Sequence, residues 1–145
     1  MTVILQDVPT AFASWTGRVW VRGGELEVYT TGERVGEEGG VREGGWRGSL
    51  HHSSLPLPIS TLALAVGVWP ALPLPCLHPA TRLAGPPALV TRCRAGLGRY
   101  LVAALAAVQH LLGPFPLPRC DVVIVHRSFS GLGLASPNLI FISPR

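Results

Sequence analysis

The chain has 145 residues, of which 17 are Gly and 14 are Pro; 48% are apolar and only 14% are charged. This charge is too sparse to keep the chain expanded as a disordered tail, or to supply the flanking charges of a coiled coil. The formal charge is +4 and every basic residue is Arg. Because these Arg residues are scattered, without a run or interleaved aromatic residues, we expect no nucleic-acid partner.

Cysteine spacing and hydropathy indicate the cellular compartment in which we expect the protein. Cys76, Cys93 and Cys120 form no Cys-x-x-Cys pair, so we expect reduced thiols rather than a disulfide framework. The N-terminus lacks the basic leader of a secretory signal. The uncharged stretch 48–81 is interrupted by six Pro, and the apolar stretch 100–113 has only 14 residues, whereas a spanning helix needs about 20. We therefore expect a cytoplasmic protein, or a nuclear one, without a membrane partner.

The first third of the chain predicts strands joined by turns. Residues 14–22 alternate with the period of two that is typical of a strand. Gly23-Gly24 predicts a hairpin turn into a short returning strand around Val28. Residues 32–45 are rich in Gly and Glu and predict a solvated loop, after which residues 46–50 favour the start of another strand.

The middle of the chain is dominated by Pro and by apolar residues. Residues 55–58, Leu-Pro-Leu-Pro, predict a stiff segment outside any sheet, because each Pro removes a backbone donor. Residues 61–69 are apolar on both faces and predict a buried strand. The Pro-rich stretch 71–90 predicts a connection between two parts of the chain.

A helix is predicted over residues 96–113, where apolar residues recur at spacings of three and four and Ala fills most other positions. Gly113-Pro114 is a typical stop signal. Since both faces are apolar, we expect this helix to be well buried. Strands are predicted at 121–125 and 139–142, separated by a Gly- and Ser-rich turn at 128–138.

Residue spacing predicts no catalytic and no metal-ligating residue. None of the five His lies at a zinc-ligand spacing except the adjacent His51-His52, which we interpret as ordinary strand residues. No Gly-x-Ser-x-Gly elbow occurs, and Ser128 near His126 is interpreted as a loop hydroxyl that satisfies the turn backbone. Gly131-Leu-Gly133 precedes a predicted strand rather than a helix, so a dinucleotide-binding fragment is only a minor alternative.

Residues 121–143, DVVIVHRSFSGLGLASPNLIFIS, resemble the strand, loop and strand around the Gly-x-Met-Glu-Asn motif of the zinc aminopeptidases. This family contains aminopeptidase N, aminopeptidase B and the leukotriene-type hydrolases, and the aminopeptidase O branch is the most similar. Three further stretches resemble the family in the same order along the chain: residues 6–9, residues 55–69, and residues 97–112 with the Gly-Pro-Phe-Pro that follows. Together these stretches cover most of the chain.

The resemblance implies an α+β fold made from parts of two domains. Residues 1–70 would be the end of an N-terminal antiparallel β domain, and residues 71–90 the Pro-rich connection. Residues 91–145 would be the opening helix and strands of a thermolysin-like catalytic domain.

The resemblance also implies a peptide substrate and a substrate-binding strand. In the family, the motif strand binds the peptide by backbone pairing, and its acid holds the free α-ammonium group. Gly133, Leu134, Ala135 and Ser136 stand at that motif here, so they are the substrate-binding residues that the resemblance implies. Ala135 stands where the acid would be and cannot neutralise an ammonium group, whereas backbone pairing by Gly133 and Leu134 needs no side chain.

The family is zinc-dependent, with the metal held by His-Glu-x-x-His and a Glu on the next helix. The sequence ends at Arg145 without that motif, so we expect no zinc bound by this chain and no catalytic residue. The favoured hypothesis is an aminopeptidase O-like partial chain that is inactive alone. The alternative is a non-catalytic truncated isoform that binds a partner protein through open sheet edges. Oligomeric state is left open.

Overall fold

The computed structural model describes residues 3–6, 13–42, 44–75 and 79–144. The chain forms two compact units, residues 1–67 and residues 68–145. The described part consists mostly of strands, with one long α-helix in the second unit. The predicted α+β class is therefore confirmed, while the assignment of the chain to parts of two enzyme domains stays a prediction.

The first unit holds six strands among the described residues, arranged in two sheets. They are β1 (Val3–Gln6), β2 (Ala13–Arg22), β3 (Glu27–Thr30), β4 (Glu33–Arg42), β5 (Trp46–Leu57) and β6 (Leu64–Gly67). The larger sheet has the antiparallel order β1-β2-β5-β4, and β3 pairs with β6 in the smaller one. A short 3-10 helix, Ile59–Thr61, lies between β5 and β6.

The alternation predicted for β2 is confirmed and creates the core of this unit. Val19 and Val21 are fully buried and form one cluster with Leu26. Apolar residues of the smaller sheet, Val28 and Val66 among them, pack against this cluster. Burial of the alternate β2 side chains thus joins the two sheets, since apolar area removed from water is the main stabilising contribution.

Two predictions for this unit are wrong. Gly23-Gly24 does not form a hairpin, because β3 pairs with β6 instead of returning along β2. Residues 32–45 are not a loop, because β4 pairs with β5 through the turn at Gly44-Gly45. The described side chains of residues 33–35 and of Glu37 are exposed, so this edge strand needs no apolar alternation and gives no strand pattern.

The Pro-containing segment also differs from the prediction. Strand β5 continues through Pro56 to Leu57, where it pairs only with β2, because the pairing of β4 ends opposite His52. A Pro is tolerated there because no described strand on that side needs a backbone N–H donor, which Pro lacks. Residues 61–69 are predicted to form a buried strand. The strand that forms, β6, is limited to Leu64–Gly67, and of its residues Gly67 is buried and the other three are half-buried.

The second unit is a mixed five-stranded sheet with one long helix. Its elements are β7 (Leu72–Pro73), β8 (Ala80–Ala84), α1 (Pro87–Leu112), β9 (Arg119–Ile124), β10 (Gly133–Ser136) and β11 (Leu139–Ile142). The strand order is β10-β11-β9-β8-β7, with parallel pairs β8–β9 and β9–β11 and antiparallel pairs at both ends. Residues 71–90, predicted as a connection, thus contribute β7, β8 and the first turn of α1.

Helix α1 joins the parallel strands β8 and β9 and packs along the apolar centre of the sheet. Val90 lies in one cluster with Leu83 and Val122, and Leu97 and Leu101 pack against it. The prediction of a deeply buried helix is wrong, since only Val90 and Gly98 of α1 are buried. The helix ends at Gly113 as predicted, with φ 86°.

Helix α1 begins at Pro87, earlier than predicted, and this changes its length. With 26 residues, α1 is long and apolar enough to cross a membrane, which alone is weak evidence for a span. The core helix of a βαβ unit meets the same criteria.

The contact between Trp20 and Gly48 provides a stability test for the first unit. The Trp20 ring covers Gly48, and a Cβ there would lie 2.5 Å from Cζ3 of the ring. We expect Gly48→Ala to lower the free energy of unfolding by about 1–3 kcal/mol, because overpacking displaces the ring. Urea unfolding followed by Trp fluorescence measures it.

Gly36→Ala in β4 is the matched control, since nothing lies within 4 Å of its Cβ position. We expect it to change stability by less than about 0.5 kcal/mol. Equal unfolding midpoints for the two variants would contradict the proposed overpacking.

Candidate functional site

The residues that the resemblance assigns to substrate binding form one strand at the edge of a sheet. Gly133, Leu134, Ala135 and Ser136 are the whole of β10, which pairs on one side with β11 and ends the strand order. The predicted turn at 128–138 is wrong in this part. Because β10 is short and mostly exposed, its composition alone gives no strand signal.

The register shows which backbone groups of β10 face outward. The Ser143 N–H donates to the Leu132 carbonyl at 2.8 Å, so residues 132 and 143 form a hydrogen-bonded pair. In an antiparallel ladder such pairs alternate, so Leu134 and Ser136 also bond inward to β11. The N–H and C=O groups of Gly133 and Ala135 therefore point to the open side of the strand.

A close approach and a tight turn hold β10 against β11. A Cβ at Gly133 would lie 2.8 Å from the Phe141 carbonyl oxygen, so any larger residue there forces the strands apart. Pro137 and Asn138 connect the two strands, with Asn138 at φ 61°. Asn tolerates this left-handed conformation, and Pro before it is a typical turn residue.

The side chains of β10 carry no charge, and Ser136 has the one that is polar. Leu134 is 46% exposed and Leu132 is 74% exposed, whereas Ala135 presents only a methyl group. The acid that lies near in the sequence, Asp121, is fully buried. The described part of the site therefore offers a ligand backbone hydrogen bonds and apolar contact, but no carboxylate.

Asp121 is instead part of a structural charge cluster that the sequence reasoning missed. Arg82 of β8 binds its carboxylate with two parallel hydrogen bonds of 2.7 Å, from Nε and Nη2. Arg119 donates to the same carboxylate from its own strand. Since Arg82 and Asp121 are 39 residues apart, only the parallel pairing of β8 with β9 brings them together.

The His residues singled out in the sequence do not form a catalytic or metal centre in the described structure. His126 Nδ1 lies 2.7 Å from Ser128 Oγ in an exposed loop, and this local contact caps the turn. His51 is buried between the hydroxyls of Thr30 and Ser49, and His52 lies beside Thr16.

The implied zinc does not fit the described residues. Among residues 3–6, 13–42, 44–75 and 79–144, no three His, Cys, Asp or Glu side chains lie close enough to hold a metal ion. Cys93 and Cys120, the described cysteines, form no disulfide bond and lie in or against the apolar cluster under α1.

No family model matches the chain. Aminopeptidase O from Rattus norvegicus is 27% identical over 95% of this chain, and the human protein of the same name is 25% identical over the same share. Nearly all of this chain, 95% of its residues, aligns with a part of aminopeptidase O. The predicted resemblance to the zinc aminopeptidases is thereby confirmed. The chain spans about a fifth of the length of these relatives, 22% in each.

Solved structures show the same fold. Yeast LTA4 hydrolase, solved in complex with bestatin, superposes with a TM-score of 0.72 over 95% of this chain and 20% of its own, at 16% identity. The native yeast enzyme gives a TM-score of 0.69 at 17% identity. At this identity the match demonstrates the fold but not the roles of the individual residues of β10.

The buried carboxylate can be tested through stability. We expect Asp121→Ala to lower the free energy of unfolding by about 3 kcal/mol, because it leaves Arg119, 20% exposed, without its counter-charge. Urea unfolding measures the loss. The exposed pair Arg34–Glu37 supplies the control, and Glu37→Ala should cost about 0.5 kcal/mol or less. A similar small loss in both variants would show that the Asp121 cluster does not hold the strands.

Proposed function

We propose that this chain supplies the peptide-holding edge of an aminopeptidase O-like scaffold. The observation that carries the proposal is the position of residues 133–136, since Gly133 and Ala135 present backbone groups along the side of β10 that no described strand pairs with. An extended peptide adds to such an edge as a further strand, with main-chain hydrogen bonds providing the affinity. The relatives' name, aminopeptidase, supports a peptide as the ligand.

The edge recognises backbone rather than charge. Ala135 occupies the place of the family's acid, and its methyl group has no means of binding an ammonium group. Exposed Leu134 favours an apolar or β-branched side chain on the bound peptide. We therefore expect peptides with a free and with an acetylated N-terminus to bind β10 equally well.

We propose that the described residues bind a peptide without hydrolysing it. They hold no candidate set of zinc ligands, so no step of peptide hydrolysis is assigned to them. Gly133, Leu134, Ala135 and Ser136 bind and align an extended chain, and none of them is placed as an acid, a base or a nucleophile. The chain alone is proposed to be inactive as a peptidase.

A partner-binding module is the second candidate function. The observation that favours it is the large uncovered apolar surface of α1, where Tyr100, Leu111 and Leu112 are each at least 75% exposed. Apolar patches of this kind on a folded protein mark sites of association. This surface and β10 lie on different elements, so the two functions are compatible.

Substitution of Ala135 tests the binding edge. Ala135→Pro removes one outward N–H while the inward hydrogen bonds of Leu134 and Ser136 remain, so we expect about fivefold weaker peptide binding. The probe is a Thr-Val-Thr-Val-Thr pentapeptide, titrated in amide NMR spectra that follow the Gly133 resonance.

Ala135→Ser keeps the N–H and should bind as the unchanged chain does, and so should the acetylated pentapeptide. An unperturbed Gly133 resonance at saturating peptide would refute the edge as a binding site. A loss of binding in Ala135→Ser equal to that in Ala135→Pro would refute the role of the backbone donor.

Metal content and turnover test the absence of catalysis. We expect the purified chain, after dialysis against zinc, to retain less than about 0.1 zinc per chain, because the described residues form no ligand set for the metal. Leucine amide should not be hydrolysed. Atomic absorption and a fluorogenic leucine amide assay measure both, and hydrolysis abolished by a chelator would contradict the proposal.

A further inference from the structure

An open groove runs along α1 in the second unit, on a different element from β10. It encloses about 1120 Å³, with α1 on one side and the segment Leu72, Pro73, Leu74 and Pro75 on the other. On the helix its floor follows a single face: Thr91, Ala95, Gly98, Val102 and Ala106. These residues span about 22 Å at 1.5 Å per residue, which is the length of a helix of four turns.

The charges on α1 are all of one sign. Residues 87–112 contain Arg92, Arg94 and Arg99 but no Asp or Glu. Arg94 and Arg99 line the groove and are exposed, whereas Arg92 is exposed but does not line it. No carboxylate is paired with Arg94 or Arg99 among the residues that the structure describes. The groove is thus an apolar trough with two cations that no described carboxylate neutralises.

The shape of the groove favours a helix as its occupant. Side chains on the α1 wall are short, so the ridge of another helix can approach closely, as in ridge-into-groove packing. A bilayer surface is flat and leaves the concave floor at Gly98 unfilled. A second copy that docks through its own α1 would set Arg against Arg without an acid between them, which is repulsive.

We infer that this groove docks an amphipathic α-helix of another protein, one that carries apolar residues at spacings of three and four flanked by Glu or Asp. The apolar ridge fills the trough over Gly98 and Val102. The flanking carboxylates pair with Arg94 and Arg99, which fix the register and orientation of the partner. The partner covers apolar surface of α1 that is otherwise exposed to water.

A designed peptide tests this inference on the full chain. The probe is a fluorescein-labelled 18-residue helix with Leu at spacings of three and four and Glu on both flanks, and its counterpart has Lys in place of each Glu. By fluorescence anisotropy we expect the Glu peptide to bind and the Lys peptide to bind at least about tenfold more weakly. Equal affinity for the two peptides would overturn the inference.

Charge reversal locates the site. The double variant Arg94→Glu/Arg99→Glu should bind the Glu peptide about tenfold more weakly and gain affinity for the Lys peptide. Arg92→Glu reverses one charge, half of that change, on the same helix outside the groove and should leave the Glu peptide bound. A loss of binding free energy in Arg92→Glu that is half of the loss in the double variant, or more, would show that net charge alone accounts for the effect, against the inference.

A steric pair tests the trough itself. Ala106→Trp fills the groove and should abolish binding of the Glu peptide, whereas Ala107→Trp, on the adjacent exposed position outside it, should not. Circular dichroism melts verify that each variant is folded. Vesicles of phosphatidylcholine and phosphatidylserine form the last arm. Their binding, if unaffected by Ala106→Trp and stronger than that of the Glu peptide, would assign the surface to a membrane and overturn the inference.

Discussion

The second unit depends on one buried carboxylate and the two guanidinium groups that hold it. Asp121 lies in the middle strand β9, opposite Arg82 of β8 and Leu139 of β11. A buried charge is costly without a partner, so any register that separates Asp121 from Arg82 and Arg119 is strongly disfavoured. A shift by one residue would also turn the buried faces of these strands outward. The cluster therefore specifies the alignment of β8, β9 and β11.

That alignment determines where the β10 edge, the proposed binding edge, lies. Strand β11 is placed by β9, and β10 is placed by β11 through the turn at Asn138 and the close approach of Gly133 to Phe141. The outward direction of the Gly133 and Ala135 backbone groups thus follows from contacts far from them in the sequence. Strand β10 has the backbone groups for pairing although Ala135 carries no acid, since pairing requires only N–H and C=O groups.

The same fold leaves two surfaces available for association, and they differ in chemistry. The β10 edge offers backbone groups that pair with no described strand, together with exposed Leu132 and Leu134, and an extended peptide is its proposed ligand. The groove on α1 offers short apolar side chains and the cations Arg94 and Arg99, and it suits an acidic helix. One face of α1 is used to cover the sheet, so its other apolar residues remain for a partner. This division explains how a helix with apolar residues on both of its faces can still be mostly exposed to water.

Local patterns determined much of this protein by themselves: the alternation of β2, the apolar strands β9 and β11, the end of α1 at Gly113, and the motif residues 133–136 with the family they resemble. Each of these depends on residues close together in the chain. The tertiary structure alone decided that β3 pairs with β6, that the Gly- and Glu-rich segment is the edge strand β4, that α1 is half uncovered, and that Arg82 meets Asp121. Strand partners and burial depend on contacts between distant residues, and no local pattern encodes them, because an exposed edge strand needs no apolar period and an apolar helix face is the same in sequence whether or not a neighbour covers it.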